Sequence, residues 1–576
     1  MLKLLKYLKP YIFLILLLLG LTYAQVMASL ALPDYMAKIV NEGIVNQDLA
    51  LIWSTGVTMI LITLGGALAA VIGRYLSAKI GTGFSKDLRR AVFKKVESFS
   101  MEEFNNFSIS SLITRSTNDI QQVQMVVIIL FRIVLSAPIM GIGAVIKASN
   151  MAPSMTWIMG VAVAILLTMI MVLFVVVVPK FKIVQELIDK LNLVTRQNLT
   201  GLKVIKAFNT EDYEKDKFDN VNKDLTKINL FVHRVMVIMQ PIMMLVFNLT
   251  TIAIIWIGAH KIDIGELQIG DMMAFMQYAM QIIISFLMIS IIFILLPRAS
   301  VSAQRISEVL ETTLHILDPQ KPKKAKGHGQ VVFNNVTFSY PDADVPVLYD
   351  ISFTANPGET TAIIGGTGSG KSTVVNLIPR FFDVTSGEVL IDGVNVKDIG
   401  QKDLRRRIGY VPQKGVLFSG TIESNIKYGK PNATMQEVLK AARIAQADEF
   451  ISKLENGYNS NVAQGGSNFS GGQKQRLAIA RAILLNQDIY IFDDSFSALD
   501  FETDYKLREE LKTVTKHSTV IIVAQRIGTM LHADKIVVLD NGRIVGIGKH
   551  KELLKNCEVY REIANSQLSE KELAYE

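Results

Sequence analysis

The sequence predicts a chain in two parts: an α-helical membrane domain with six transmembrane helices, followed by an α/β domain. Half of the 576 residues are hydrophobic and the mean hydropathy is +0.32, which is too apolar for a purely water-soluble protein. The long apolar runs lie in the first half of the chain, whereas short apolar strands alternate with helical patterns from Val331 onward. The length also exceeds that of an ordinary single domain.

Six apolar windows are each long enough to cross a bilayer, which takes about 20 helical residues. Lys3, Lys6 and Lys9 precede the first window as they would in a signal peptide. That window is too long for the apolar core of a signal peptide and five more follow it, so we interpret it as a membrane anchor. The six windows are residues 11–32, 49–73, 125–146, 156–178, 235–258 and 272–297.

The net charge of +8 is compatible with nucleic-acid binding, but cytoplasmic loops of membrane proteins carry the same excess of Lys and Arg. Within the first half of the chain, most Lys and Arg residues fall in two long connections, 74–124 and 179–234, and few fall in the short ones. The positive-inside rule therefore predicts a multi-pass protein of the cell inner (plasma) membrane, with the N-terminus, both long loops and the C-terminal half in the cytoplasm. We expect a lipid bilayer, and no nucleic acid, as its environment.

Polar residues inside the windows are sparse. Arg132 lies in the third, where it either faces a cavity or extends its charge to the nearby membrane surface. Gln277 and Gln281 are four residues apart in the sixth and share one helix face, which favours lining a cavity over joining two helices. After the last window comes a Pro- and Lys-rich linker. We therefore expect a transmembrane domain at 1–310, a linker at 311–330 and a second domain at 331–576.

The second domain contains the run "GGTGSGKST" between a strand-like and a helix-like segment, which is the context of a phosphate-binding loop. Backbone amides of such a loop surround phosphates, Lys371 supplies a point charge, and Ser372 offers a hydroxyl to Mg²⁺. Asp493 ends the apolar run "IYIFD" and is the predicted Mg²⁺ partner. We thus expect an α/β P-loop nucleotide-binding domain that binds ATP and Mg²⁺ through Gly365, Gly366, Thr367, Gly368, Ser369, Gly370, Lys371, Ser372 and Thr373.

The run "NFSGGQKQRLAIARAIL" from Asn468 resembles the signature sequence of ATP-binding-cassette (ABC) transporters. Ser470, Gly472 and Gln473 stand where a helix begins, and the free amides and dipole of a helix start attract an anion. A second anion site far in sequence from the phosphate-binding loop is reasonable if it completes the nucleotide site of another subunit. We therefore count these three residues among the catalytic ones.

Further runs extend the resemblance over nearly the whole chain. Tyr340 in "VTFSYP" resembles the aromatic residue that stacks on adenine, and Gln413 in "IGYVPQ" resembles the glutamine that contacts Mg²⁺. "GLKVIKAFNTEDYEKDKF" and "GELQIGDMMAF" resemble segments of the membrane half of ABC exporters. The resemblance implies an ABC half-exporter of the type IV fold, with six spans and one cassette, moving amphipathic compounds such as drugs or lipids.

Two catalytic positions depart from the family pattern. Asp494 stands where a glutamate base is usual, and Gln525 in "AQRIGT" stands where a histidine is usual. Gln464 also replaces an acid in the loop before the signature. Shortening the base moves its carboxylate by more than ~1 Å, and such a shift can cost on the order of 10²-fold in rate. Gln525 can donate a hydrogen bond but cannot carry a positive charge.

We therefore expect the degenerate-site subunit of a bacterial heterodimeric multidrug ABC transporter. Its partner is a second half-transporter with a competent Glu and His, to whose site this chain supplies the signature. Within the transporter class, a fully active homodimer and a lipid flippase are the alternatives. An ATP-gated channel or a regulatory membrane ATPase is the alternative from another class.

Overall fold

The computed structural model describes residues 2–341 and 343–568, which divide into two units. The first unit comprises Met1–Glu97 and Ser108–Thr312. The second comprises Thr313–Glu576 together with the short segment Ser98–Phe107. The segment therefore belongs to the second unit although it lies within the N-terminal half of the sequence.

Regular structure in the described part of the first unit is helical, because a segment crossing lipid must satisfy its backbone hydrogen bonds internally. Short π-helical turns at Ile39–Ile44 and Leu130–Val134 interrupt the α-helices. The α-helices of the N-terminal half are α1 (Ile12–Lys38), α2 (Leu49–Glu97), α3 (Met101–Asn105, in the second unit), α4 (Ile109–Ser116), α5 (Asn118–Ile129), α6 (Ser136–Met151), α7 (Thr156–Thr200), α8 (Leu202–Phe208), α9 (Glu211–Asp263) and α10 (Ile269–Glu311).

Six helical segments of the described chain are long and apolar enough to cross a membrane, which confirms the prediction of six transmembrane helices. Five of the six predicted windows lie wholly inside these segments, and the sixth begins inside the last one and extends beyond it along α10. The segments are Lys3–Ile44, Leu49–Glu97, Ile109–Met151, Pro153–Thr200, Glu211–Asp263 and Ile269–Ile289.

Polar contacts join α1, α6 and α10 within the first unit. The buried Tyr278 hydroxyl lies 2.9 Å from the Leu30 carbonyl and 2.5 Å from Asp34, either of which can accept its proton, and Lys147 pairs with Asp34 at 2.6 Å. The Gln281 amide donates to the Ser29 carbonyl at 3.2 Å. Gln281 therefore links two helices in this unit.

The second unit is an α/β domain, which confirms the predicted fold class. Its strands are β1 (Val331–Phe338), β2 (Leu348–Ala355), β3 (Thr360–Gly365), β4 (Ser386–Ile391), β5 (Val394–Asn395), β6 (Ile408–Val411), β7 (Gly420–Thr421), β8 (Asn461–Val462), β9 (Ile489–Asp493), β10 (Thr519–Val523), β11 (Lys535–Asp540) and β12 (Arg543–Gly548). Its remaining helices are α11 (Lys371–Leu377), α12 (Gln401–Arg405), α13 (Ile422–Ile426), α14 (Met435–Ile444), α15 (Asp448–Ser452), α16 (Gly471–Ile483), α17 (Phe501–Val514), α18 (His550–Asn556) and α19 (Glu558–Gln567).

The strands form three sheets. One is four-stranded in the order β2-β1-β4-β5, one is six-stranded in the order β12-β11-β3-β10-β9-β6, and one pairs β7 with β8. In the six-stranded sheet, β11, β3, β10, β9 and β6 run parallel, and β12 is antiparallel to β11. Every residue of β9 and β10 is buried, as expected for central strands covered on both faces.

The register of this sheet brings the carboxyl ends of four strands together. Val523 is opposite both Ile363 and Asp493, and Phe492 is opposite Val411. In open parallel sheets, ligands bind outside the carboxyl ends of the strands. The turns that follow β3, β6, β9 and β10 therefore meet at one edge, and they carry the candidate residues.

The segment Ser98–Phe107 joins the second unit through a buried carboxylate. Glu103 is fully buried, and it accepts hydrogen bonds from the Ser100 hydroxyl and from the backbone N–H of His315 at 2.7 Å. Burial would raise the pKa of Glu103, but the hydrogen bonds from Ser100 and His315 outweigh it and hold that pKa below its usual range. Glu103 and His315 are 212 residues apart in the chain, so no local sequence pattern predicts this contact.

Candidate active site

The phosphate-binding loop connects β3 to α11. Gly368 and Gly370 have φ values of 84° and 95°, a region that favours glycine because it has no Cβ. A Cβ on Gly370 would also lie 2.6 Å from a methyl group of Leu348, whereas the positions of Gly366 and Gly368 are open to space. Such a loop can present its backbone N–H groups to an anion.

Two side chains of the loop retain unused hydrogen-bonding capacity. The Lys371 ammonium donates to the carbonyls of Gly365 and Gly366 at 2.9 and 2.7 Å, which leaves one of its three N–H groups. The buried Ser369 hydroxyl has no hydrogen-bond partner among the described residues. An uncompensated buried hydroxyl is costly, and a phosphate oxygen at this place would satisfy it. The loop therefore fits a nucleotide phosphate.

The Lys371 side chain is largely buried, with two carboxylates nearby. Burial lowers the pKa of Lys371 below its ordinary value, and the nearby Asp494 and Asp493 carboxylates oppose this shift. Burial raises the pKa of Asp493, the Ser372 hydrogen bond opposes it, and the charge of Asp494 adds to it. A cation arriving between these groups would relieve the repulsion between the two carboxylates.

The residues expected to hold Mg²⁺ lie at this edge. The Ser372 hydroxyl donates to Asp493 Oδ1 at 2.9 Å. Two of the three predicted Mg²⁺ ligands are therefore in direct contact. A hydroxyl and a carboxylate are oxygen ligands of the kind that Mg²⁺ takes alongside phosphates. Ser372, Asp493 and the amide oxygen of Gln413 would hold the ion. When bound, it would neutralise charge on the phosphates of the nucleotide.

Asp494 is the centre of a hydrogen-bonded cluster. Its Oδ2 atom accepts the Gln413 amide at 3.1 Å and the Gln525 amide at 2.9 Å, and the residue is only 8% exposed. Its backbone N–H donates to the Val523 carbonyl at 3.0 Å. Its φ is 45°, a region that Asp enters more readily than most non-glycine residues. The cluster therefore fixes this carboxylate with two neutral donors.

Tyr340 lies beside the loop. Its hydroxyl is 3.0 Å from the Thr373 hydroxyl. Its ring meets those of Phe338 and Phe382 at steep angles, with centroids 4.9 and 5.3 Å away. Edge-to-face contacts of this kind hold an aromatic ring in one orientation. The ring is thus fixed next to the phosphate-binding loop.

The signature run begins helix α16 with a capping box. The Ser470 hydroxyl accepts from the Gln473 N–H at 3.3 Å, and the Gln473 side chain accepts from the Ser470 N–H at 2.9 Å. Ser470 and Gly471 are exposed, and a Cβ on Gly471 would meet nothing within 4 Å. A Cβ on Gly472 would lie 3.0 Å from the Ala498 carbonyl. The turn thus presents an open helix start.

The structure brings most of the predicted site residues together. Lys371, Ser372, Gln413, Asp493, Asp494 and Gln525 are joined by hydrogen bonds or by charge at the edge of the sheet. The side-chain hydrogen bonds described for Ser470 and Gln473 stay within the signature turn. The direct hydrogen bonds of Gln413 and Gln525 to Asp494 were not foreseen, because motif spacing does not report contacts between separate loops.

Comparison with known families gives two matches. Residues 14–286 match the model of the ABC transporter transmembrane region, and residues 348–497 match the ABC transporter model of the cassette. The solved structure of a bacterial Atm1-family ABC exporter with ATP bound is similar over 98% of both chains, with a TM-score of 0.78 and 25% identity. The resemblance in sequence therefore extends to the fold.

Relatives of nearly the same length share much of the sequence. An uncharacterized ABC transporter ATP-binding protein of Mycobacterium tuberculosis is 43% identical over 567 residues, which cover 98% of this chain and 97% of the relative. Another from Bacillus subtilis is 38% identical over 571 residues, which cover 98% of each. The chain belongs to the ABC transporter family, as a multi-pass exporter half-transporter that couples ATP hydrolysis to transport across a membrane.

Proposed function

We propose that this chain is the slow-site subunit of a heterodimeric ABC exporter that moves amphipathic compounds out of the cytoplasm. Residues 1–310 form its transmembrane domain and residues 331–576 its cassette. The chain binds ATP and Mg²⁺ at its own phosphate-binding loop, hydrolyses that ATP slowly, and lends its signature turn to the competent site of a different partner.

The observation that carries this proposal is the cluster around Asp494. A general base must reach the proton that it removes within hydrogen-bond distance. Here the carboxylate is one methylene shorter than glutamate, and two amides hold it. Both amides are neutral, so Gln525 adds no positive charge next to the phosphates that would lie on Lys371. The arrangement supports nucleotide binding and slow hydrolysis.

The signature turn supports a role in another chain. Its capping box is complete and its exposed start leaves backbone amides free for an anion. In a head-to-tail pair of cassettes, as the family resemblance implies, this helix start faces a phosphate held by the partner. In an asymmetric pair, a chain whose own site hydrolyses ATP slowly can still complete the partner's site with its intact signature turn.

The membrane half supports placement in the plasma membrane with both long loops in the cytoplasm. The Lys and Arg of the first unit concentrate in those loops, as the positive-inside rule requires for cytoplasmic segments. The six candidate spans of the described chain are long and predominantly apolar. A transport path between apolar spans would accept amphipathic compounds as substrates, because their apolar parts can contact the spans.

The test is to measure ATP binding and ATP turnover of the chain purified alone and with its partner. We expect the lone chain to bind ATP and to turn it over more slowly than about 1 s⁻¹, the lower end of ordinary enzyme rates. The complex should be faster. A competent partner should co-purify with the chain from its own cells and should carry Glu and His at the two altered positions.

Two results would contradict the proposal. A lone chain that turns over ATP at ordinary rates would mean that Asp494 and Gln525 suffice for catalysis, and that a homodimer is functional. ATP binding that a Lys371→Ala variant leaves unchanged would mean that the phosphates bind elsewhere. The matched control is Lys535→Ala, which removes a lysine from strand β11 of the same sheet.

A further inference from the structure

A cavity lined by both polar and apolar side chains lies in the first unit, among α1, α2, the π-helical turn Leu130–Val134 and α10. Its volume is about 390 Å³, which is within the range of small-molecule sites. Its polar lining comes from three separate segments of the chain. The polar lining residues are Thr22, Gln25, Arg74, Ser77, Arg132 and Ser136.

Arg132 enters the cavity from the middle of the π-helical turn. A π-helical turn widens the backbone spiral and is frequent at functional sites. The Ser136 hydroxyl donates to the Arg132 carbonyl at 2.8 Å, which satisfies a carbonyl at the point where the regular hydrogen-bond ladder changes. The turn therefore holds Arg132 at the cavity by a local distortion of the third span.

Arg74 reaches the same cavity from α2. It follows the second apolar window directly, and Arg132 stands seven residues into the third, or about 10 Å along a helix. With the orientation proposed above, both lie toward the cytoplasmic side. Extension to the membrane surface accounts for an exposed arginine near a helix end. Here two exposed arginines from different helices line one cavity, which favours a shared ligand.

The cavity has positive charge and lacks a described counter-charge. Its described lining contains no carboxylate, and neither guanidinium has a hydrogen bond or ion pair with the residues that the structure describes. The hydroxyls of Thr22, Ser77 and Ser136 already donate to backbone carbonyls. Donors for a ligand in this cavity would therefore come from the two guanidinium groups and the Gln25 amide. Two unpaired arginines are costly inside a membrane. An anion would offset both charges.

We propose that Arg74 and Arg132 form a binding site for the anionic group of an amphipathic ligand, such as a phosphate or sulfonate. Guanidinium groups bind such oxygens in pairs of hydrogen bonds, and the Gln25 amide adds a further donor. The apolar part of the ligand would lie against Leu18 and Phe131 of the same cavity. This inference rests on the proposed export of amphipathic compounds, and it narrows them to anions.

The test is direct binding without nucleotide, using the full-length chain in nanodiscs of phosphatidylcholine. The probe is dodecyl phosphate, and dodecyltrimethylammonium is the matched cation with the same tail. Native mass spectrometry counts the bound molecules across a titration. We expect dodecyl phosphate to bind well above the cation, because two positive charges attract one and repel the other.

Arg74→Gln and Arg132→Gln should each weaken dodecyl phosphate binding by roughly tenfold or more, the typical effect of losing hydrogen bonds to a charged group. Arg132→Lys should retain part of the affinity, because it keeps the charge but loses the planar fork. The matched control is Arg90→Gln, which removes an exposed arginine about 24 Å further along α2 and should change nothing.

Competition identifies the natural source of the anion. Phosphatidylglycerol that displaces dodecyl phosphate would indicate a lipid headgroup, whereas a lack of competition with intact probe binding would indicate a soluble anionic compound.

Equal binding of the two probes, or full binding to both Arg→Gln variants, would overturn the inference. Unchanged helix content by circular dichroism, together with retained ATP binding, shows that a variant is folded in both units. Because no hydrolysis is measured, this failure would leave the slow-site proposal standing.

Discussion

The phosphate-binding edge of the sheet and the signature turn are two anion-directed regions of one cassette, and they differ in how their polar groups are used. At the edge, Asp494 is occupied by the amides of Gln413 and Gln525. At the signature turn, Ser470 and Gln473 cap their own helix and leave its start exposed. The departures from the family pattern at Asp494 and Gln525 both fall in the first region.

Under the proposed function, this difference would mean that the binding and hydrolytic parts of a nucleotide site can change independently. The loop that receives phosphates keeps its glycines, its lysine and its metal-binding pair. In the proposed function, the groups that would activate water are a shorter carboxylate, Asp494, and a neutral amide, Gln525. The signature turn keeps the family pattern, as expected if it completes the nucleotide site of a partner chain.

The largest expected effect tests the signature turn. Gly471→Glu should abolish most ATPase activity of the heterodimer, by more than about 10²-fold, because a carboxylate would face the partner's phosphate and like charges in contact cost several kcal/mol. The measurement is the steady-state turnover of the assembled complex. Gly471→Ala is the control, since its Cβ meets nothing within 4 Å in this chain. Equal loss in both variants would point to a folding defect instead.

The next effect sharpens the account of the altered edge. Asp494→Glu combined with Gln525→His should raise ATP turnover of the lone chain by on the order of 10²-fold, because it returns the carboxylate to the usual reach and restores a group that can be cationic. Single-turnover assays with the protein in excess over ATP measure this gain. Asp494→Asn with Gln525→His is the uncharged control. No gain in the restored variant would mean that other residues make the site slow.

A somewhat smaller effect is expected for binding at the loop. Lys371→Ala should weaken ATP binding to the lone chain by about 10- to 100-fold, since it removes hydrogen bonds to a charged ligand. Equilibrium binding of a fluorescent ATP analogue measures the dissociation constant. The comparison of the two regions predicts that Gly471→Glu leaves this constant unchanged. A matching loss in that variant would mean that one chain contains both halves of its own site.

Ser470→Ala separates ligand contact from helix capping. In the complex it should reduce turnover by about 10-fold or more, because one hydrogen bond to a phosphate is lost. It also removes a helix cap, which costs about 1 kcal/mol of folding stability. Thr434→Ala is the matched control, because Thr434 forms the same capping box at the start of α14. Thermal unfolding should shift alike in both, and only Ser470→Ala should lose activity.

The smallest effect is expected for Asp494→Ala in the complex. Total turnover should change less than twofold, because the proposed function assigns Asp494 to the slow site and most of the hydrolysis to the partner's site. The assay is the same steady-state measurement used for Gly471→Glu. A loss as large as that of the signature variant would show that the two sites are equivalent, and the contrast between the two regions would then have no functional meaning.

The sequence by itself was sufficient for six spans, for the α/β cassette and for the residues of the phosphate-binding loop. Each of these is encoded in one contiguous run. Apolar length reports a membrane span, and the order strand, glycine-rich loop, helix reports a phosphate site. The substitution of Glu and His by Asp494 and Gln525 was also visible, because it needs only alignment with a motif.

Tertiary structure alone decided which side chains meet. Gln413 lies 81 residues from Asp494 and Gln525 lies 31 residues from it, yet both donate to the same oxygen atom. In the sequence, Arg74 is the first residue of a predicted cytoplasmic loop. The structure places it in the lining of the same cavity as Arg132. The physical reason is the same in both cases. Periodicity and motif spacing report local backbone and burial, whereas contacts between distant segments depend on the register of strands and the packing of helices.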